Sequence, residues 1–125
     1  MLVRYKNDHE KVAMGLLSFM PNEKDVKHLQ HTMQAYNTNP NWHLYLWRED
    51  EKNIGAIGLR IEDNFEMVVQ HISVDPSCRN MGVGRKMVDE IWLIYGSQYN
   101  IVSDDLTQLF LKKCISLDKM DHDNN

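Results

Sequence analysis

Between Trp42 and Val74 the chain runs in short stretches of alternating or apolar residues. On either side, apolar positions recur every three or four residues. The first pattern predicts strands and the second helices. "WHLYLWRED" is rich in aromatics and reads as a strand turning at Asp50 to Lys52. "NIGAIGLRIED" reads as a second strand, in which Gly55 and Gly58 mark a bulge or a close backbone approach. After a turn at Asp63-Asn64, "FEMVVQHISV" reads as a third, so the three form an antiparallel meander. Upstream, Leu2 to Tyr5 suits a short strand. Val12, Leu16 and Met20 keep helical spacing over His9 to Met20, and Pro21 stops that run. Asn22 is the expected cap of a second helix, with Asp25 as its capping-box partner. That helix carries Val26, Leu29, Met33 and Tyr36 on one stripe and ends at "NTNPN".

Downstream, Val83, Met87, Ile91 and Tyr95 share a helix face, Val88 and Ile94 flank it, and Gly96 closes the helix. "YNIV", Tyr99 to Val102, suits a short strand. A last helix from near Ser103 is expected to bury Leu106, Leu109, Phe110 and Cys114. The tail "DKMDHDNN" has no apolar pattern and is expected to be disordered. The predicted order is β-α-α-β-β-β-α-β-α in one α+β domain, residues 1–115, followed by a tail, 116–125.

Composition narrows the function classes. A chain of 125 residues with 42% hydrophobic content builds one core. A net charge of −4, from 14 basic and 18 acidic side chains, argues against nucleic acid or an anionic membrane as partner. No apolar run approaches the ~20 residues of a membrane span. Met1 leads into "LVRYKNDHEK", unlike a signal peptide, so a cytoplasmic location is expected. Cys78 and Cys114 lie far apart, outside any Cys-x-x-Cys pair, and read as reduced thiols. His28 and His31 are three apart, but no acidic residue or cysteine completes a ligand set, so no metal is expected.

The stretch with chemistry is "DPSCRNMGVGRK", Asp75 to Lys86, between a strand and a helix. Free N–H groups at a helix start suit an anion. A P-loop would need Ser or Thr after Lys86 and a glycine five before Gly84; neither is present. A dinucleotide fingerprint would need a third glycine where Met87 stands. A third pattern fits: "VDPSCRNMGVG" matches Val-x-Pro-x-x-Arg-x-x-Gly-x-Gly and resembles motif A of the GNAT acetyltransferases. The meander upstream and "NIGAIGL" extend that resemblance over roughly residues 1 to 115.

The resemblance implies a GNAT-type acyl-CoA N-acyltransferase fold. Its sheet would be mixed but mostly antiparallel, flanked by helices, with the family's C-terminal strands truncated. It implies acetyl-CoA as co-substrate and a small-molecule amine as acceptor. The diphosphate would lie on the amides of Asn80, Met81, Gly82, Val83, Gly84 and Arg85, with Arg79 beside them. The pantetheine arm would pair with Ile72, Ser73 and Val74, and the Ile72 N–H would polarise the thioester carbonyl. Ser103 and Phe110 would fall in the family's Asn and Tyr places near the last helix. "MGLLSFMPNEKD" and "GAIGL" also resemble small acetyltransferase-like proteins encoded in bacterial riboflavin operons. That likeness implies a link to riboflavin biosynthesis, with a riboflavin enzyme or a second copy of the chain as candidate partner.

The chain departs from the family where a base and an acid belong. Val68 stands at the catalytic glutamate's place, Gln70 at a second base position, and Phe110 where a phenol protonates the leaving thiolate. Glu66 and His71 are the nearby substitutes, and His71 is the candidate base. Strict alternation, however, points His71 away from Gln70, unless a bulge rotates it. Without a base, freeing an alkylamine of pKa near 10.4 at pH 7 costs about 4.6 kcal/mol. A weakly basic aromatic amine, such as an aminopyrimidine, avoids that cost. A catalytically silent coenzyme-binding protein is the alternative.

Overall fold

The computed structural model describes residues 1–63 and 65–112. Five strands, β1 (Leu2–Arg4), β2 (Trp42–Glu49), β3 (Lys52–Glu62), β4 (Glu66–Val74) and β5 (Asn100–Ser103), form one sheet in sequential order. The first three pairings are antiparallel and the last is parallel. Asp50 and Glu51 both take positive φ, 49° and 65°, the handedness a two-residue hairpin turn requires.

Strand alternation divides the sheet into two faces. Leu44, Leu46 and Ala56 pack under α1 (Glu10–Leu17) and α2 (Val26–Thr38), against Ala13, Leu17, Leu29, Met33 and Tyr36. Tyr45, Trp47, Ile57 and Leu59 face the other way, against Val83, Met87 and Ile91 of α3 (Val83–Tyr95). The predicted element order therefore stands. Differences appear at the element ends.

α1 stops at Leu17 and the chain tightens through Phe19 N–H to Leu16 O and Met20 N–H to Leu17 O. Met20 is extended, φ −78° and ψ 141°, as the residue before a proline prefers. Pro21 then opens a 3-10 turn through Glu23, so Asn22 does not cap α2. Asp25 does, its Oδ1 accepting from the Lys27 N–H at 3.4 Å. Val26 thus falls at the exposed start of α2, while Leu29, Met33 and Tyr36 are buried as expected.

Residues 108–112 are helical. Its inward face differs from the expected one: Leu106 and Leu109 are exposed, and Thr107 is fully buried with Phe110 and Leu111 packed behind it. A polar side chain holds the inner position because its hydroxyl donates to Val69 O at 2.6 Å. The expectations for Cys114 and the tail lie outside the described residues.

Two features of β4 position the site. β5 pairs with it only from Glu66 to Val69, so among the described residues Gln70 to Val74 have no strand on their outer side. In addition, the register with β3 slips between Gly58 and Leu59, which face His71 and Val69, leaving Gln70 as the extra residue of a bulge. Alternation resumes in opposite phase: Met67 and Val69 face α3 before the bulge, Ile72 and Val74 after it.

Candidate active site

The unpaired outer edge of β4 runs directly into the glycine loop. Asp75 starts a 3-10 turn, Pro76–Cys78, its carboxylate accepting from the Ser77 N–H at 2.9 Å and hydroxyl at 2.7 Å. Those bonds hold the Asp75 carboxyl below its ordinary range. Asn80 and Gly82 take positive φ, 67° and 78°. Gly82 is the cap of α3, and a Cβ there would enter open space in a strained conformation. Among the described residues, the N–H groups of Asn80 to Gly84 meet no acceptor; helix bonding starts with Lys86 N–H on Gly82 O at 3.0 Å. These amides end the chain's approach to α3 at the positive pole of that helix.

Edge and loop enclose a cleft of about 670 Å³, within the usual range for a small-molecule site. Ile72, Ser73 and Val74 line it from the strand. Arg79, Asn80, Gly82, Val83, Gly84 and Arg85 line it from the loop and helix start, and Phe110 closes the far side. Two expected members are not on its wall. Met81 projects outward, 59% exposed, and Ser103 closes β5 opposite Val69. Sequence reasoning missed Phe19, Met20 and Pro21, which wall the cleft from the segment after α1. Their signal was the proline itself, which breaks the helix and turns the segment toward β4.

Two side chains rest on the open edge. The Ile72 N–H donates to Met20 Sδ at 3.3 Å. Arg79 Nε donates to Val74 O at 3.3 Å, and its guanidinium lies 5.8 Å from the centre of the Phe19 ring. Both are weak partners for backbone groups, one a thioether sulfur and the other a long guanidinium contact.

On the α1/α2 face, the bulge turns His71 to the same side as Gln70, against strict alternation. Both reach Tyr36: its hydroxyl lies 2.6 Å from His71 Nδ1 and accepts from Gln70 Nε2 at 2.9 Å. The amide of Gln70 is oriented by Arg60 Nη1, which donates to its oxygen at 3.1 Å. His71 Nε2 lies 2.9 Å from Glu23 Oε1, and Glu23 is 1% exposed. Thr32 Oγ1 donates to both carboxylate oxygens, at 3.0 and 3.1 Å. Burial pushes the Tyr36 phenol far above its usual range, so it stays protonated; the Gln70 bond only partly offsets this. His71 itself does not line the cleft. Glu66 sits exposed at the far end of β4, opposite Asn100. Among the described residues, no three His, Cys, Asp or Glu stand where they could hold a metal, and no helix is long and apolar enough to cross a membrane.

Residues 6–92 match the profile of the acetyltransferase (GNAT) family. The chain belongs to the GNAT family. A Bacillus methanolicus protein named "uncharacterized N-acetyltransferase in lysA 3'region" is 47% identical over 114 residues, 91% of this chain and 94% of that protein. The GNAT fold also appears in solved structures. Aminoglycoside N-acetyltransferase AAC(6')-Iy in complex with CoA superposes with a TM-score of 0.72 at 14% identity, covering 94% of this chain and 85% of that one. A GNAT acetyltransferase from Elizabethkingia anophelis with acetyl-CoA bound gives 0.69 at 17%, covering 90% and 72%. This GNAT chain thus has the mixed, mostly antiparallel sheet between helical layers that its motif implied.

Proposed function

We propose that this GNAT protein transfers the acetyl group of acetyl-CoA to a small-molecule amine. The observation that carries the reading is the open β4 edge leading into a helix start with unpaired amides. A diphosphate suits the N–H groups of Asn80 to Gly84, with Arg79 and Arg85 supplying positive charge. A pantetheine amide pairs as a strand would with Val74 once Arg79 releases its carbonyl. The Ile72 N–H, once Met20 yields it, polarises the thioester carbonyl and stabilises the oxyanion that forms on attack. Removing such a donor costs about 2.7–4 kcal/mol in a measured enzyme. Phe110 packs against the arm on the α3 side.

The relatives named for N-acetylation, and solved ones holding CoA or acetyl-CoA, support this reading. A role in riboflavin biosynthesis, and a riboflavin enzyme as partner, rest on the whole-chain resemblance alone. Thermal unfolding with acetyl-CoA tests coenzyme binding: ligand at 100 times its Kd adds about 2.7 kcal/mol. No shift at millimolar coenzyme refutes the reading. The alternative, a coenzyme-binding protein without turnover, is favoured by Val68 and Phe110 at the base and phenol positions. Release of free CoA thiol that depends on added amine decides between the two.

A further inference from the structure

The connection between α1 and α2 is fastened to three successive residues of β4. Leu16 O accepts from the Ser73 hydroxyl at 2.5 Å, Met20 Sδ accepts from the Ile72 N–H at 3.3 Å, and Glu23 Oε1 lies 2.9 Å from His71 Nε2. The two outer attachments use oxygen acceptors and are buried; Glu23, which also accepts from Thr32 Oγ1, is 1% exposed. The middle one rests on a thioether sulfur, a weak acceptor. Met20 is held at its backbone as well. Its N–H donates to Leu17 O at 3.0 Å, its carbonyl accepts from the Glu23 N–H at 3.1 Å, and the Pro21 ring locks the next φ. What can adjust is the Met20 side chain, unbranched and flexible, which is buried at the cleft wall.

That side chain stands at the donor the coenzyme reading assigns to the thioester. A carbonyl oxygen bonded to the Ile72 N–H would lie about 2.9 Å from its nitrogen. The Met20 sulfur is on the same N–H at 3.3 Å, so the tip of the side chain must turn aside when the oxygen arrives. The tip is a sulfur and a methyl. An acetyl group is a carbonyl and a methyl. The room one leaves is close to the room the other needs.

We propose that Met20 sets the length of acyl chain this protein accepts, admitting acetyl and turning away butyryl and longer groups. This rests on the coenzyme-binding mode of the reading above. Each methylene beyond the acetyl methyl meets the rest of the Met20 side chain. The attachments at Ser73 and His71, on either side of Ile72, keep the Met20 backbone from retreating to make room. A well-packed wall of this kind resists overfilling. Met20 is thus the specificity-determining residue for the acyl donor, and Glu23 and Ser73 are positioning residues that act through it.

The test is titration calorimetry on the full chain with free CoA, acetyl-CoA and butyryl-CoA, and it needs no acceptor. The unaltered chain should bind butyryl-CoA about tenfold more weakly than acetyl-CoA, within the usual penalty for overfilling a packed site. Met20→Ala should reverse that order, favouring butyryl-CoA by about tenfold, since each methylene newly buried is worth about fourfold. Met20→Val, which removes the tip and keeps a branched stem, should abolish the preference for acetyl-CoA. Free CoA carries no acyl group and should bind all three proteins alike. Equal affinity of the unaltered chain for acetyl-CoA and butyryl-CoA overturns the proposal, as does a preference for acetyl-CoA that survives in Met20→Val. Both outcomes are read without Met20→Ala, should that variant fail to fold. An unaltered chain that binds neither free CoA nor acetyl-CoA refutes the coenzyme reading itself.

Discussion

Met20 and Gly58 show how single atoms decide what this site can do. The Met20 sulfur accepts from the Ile72 N–H, the donor that the proposed binding mode assigns to the thioester carbonyl. Met20→Leu conserves volume and costs under about 1.5 kcal/mol of stability. It also leaves the Ile72 N–H unsatisfied in the free protein. Acetyl-CoA should then bind more tightly by roughly 0.5 kcal/mol, the low end for a hydrogen bond, or somewhat over twofold in Kd by titration calorimetry. Gly58 acts on the opposite face. A Cβ there would fall on the Tyr36 hydroxyl and stand 2.7 Å from Cζ. Gly58→Ala should therefore displace Tyr36 from His71 and Gln70 and destabilise the fold by about 1–3 kcal/mol, read as a lower denaturant midpoint.

At the scale of elements, the splay between β4 and β5 is held at its apex by the Thr107 hydroxyl on Val69 O. Thr107→Val keeps the shape and strands that carbonyl, so a loss of about 1–3 kcal/mol in urea unfolding is expected. Much of this architecture is legible in the sequence, because strand alternation and the Val83-Met87-Ile91 stripe are local patterns. The loop is legible too, since its Pro, Arg and Gly positions answer to backbone geometry. Thr107 is not: an apolar-stripe reading prefers Leu106 and Leu109, and only a carbonyl left over by the short β5 makes a hydroxyl the better inner residue. Asn22 failed as a cap for a related reason, since Pro21 diverts the chain into a 3-10 turn first. Glu23 was invisible because its partner is 48 residues away, and the facing of His71 stayed open because only the register with β3 shows where the bulge falls.

For the molecule as a whole, acid should loosen the sheet beside β1. His43, half-buried on β2, receives a hydrogen bond at Nδ1 from Arg4 Nη2, 2.8 Å away. Burial first, and the Arg4 charge second, hold the His43 imidazole below the ordinary histidine range. The unfolded chain therefore takes up a proton near pH 6.5 that the folded chain refuses, and stability falls as pH drops through that value. His43→Gln should flatten this slope in urea midpoints compared between pH 7.5 and 5.5; an unchanged slope would contradict the assignment.

The brevity of β5 also bears on solubility. A bare strand margin ordinarily invites other polypeptides to zip onto it and polymerise. Here the bare portion is bracketed by the Thr107 contact at one end and the Arg79 guanidinium at the other. The window runs from Gln70 to Val74, wide enough for a slender arm bearing a few amides. A foreign strand would have to displace the same Arg79 contact as the proposed thioester arm, so a bound coenzyme would shield this margin.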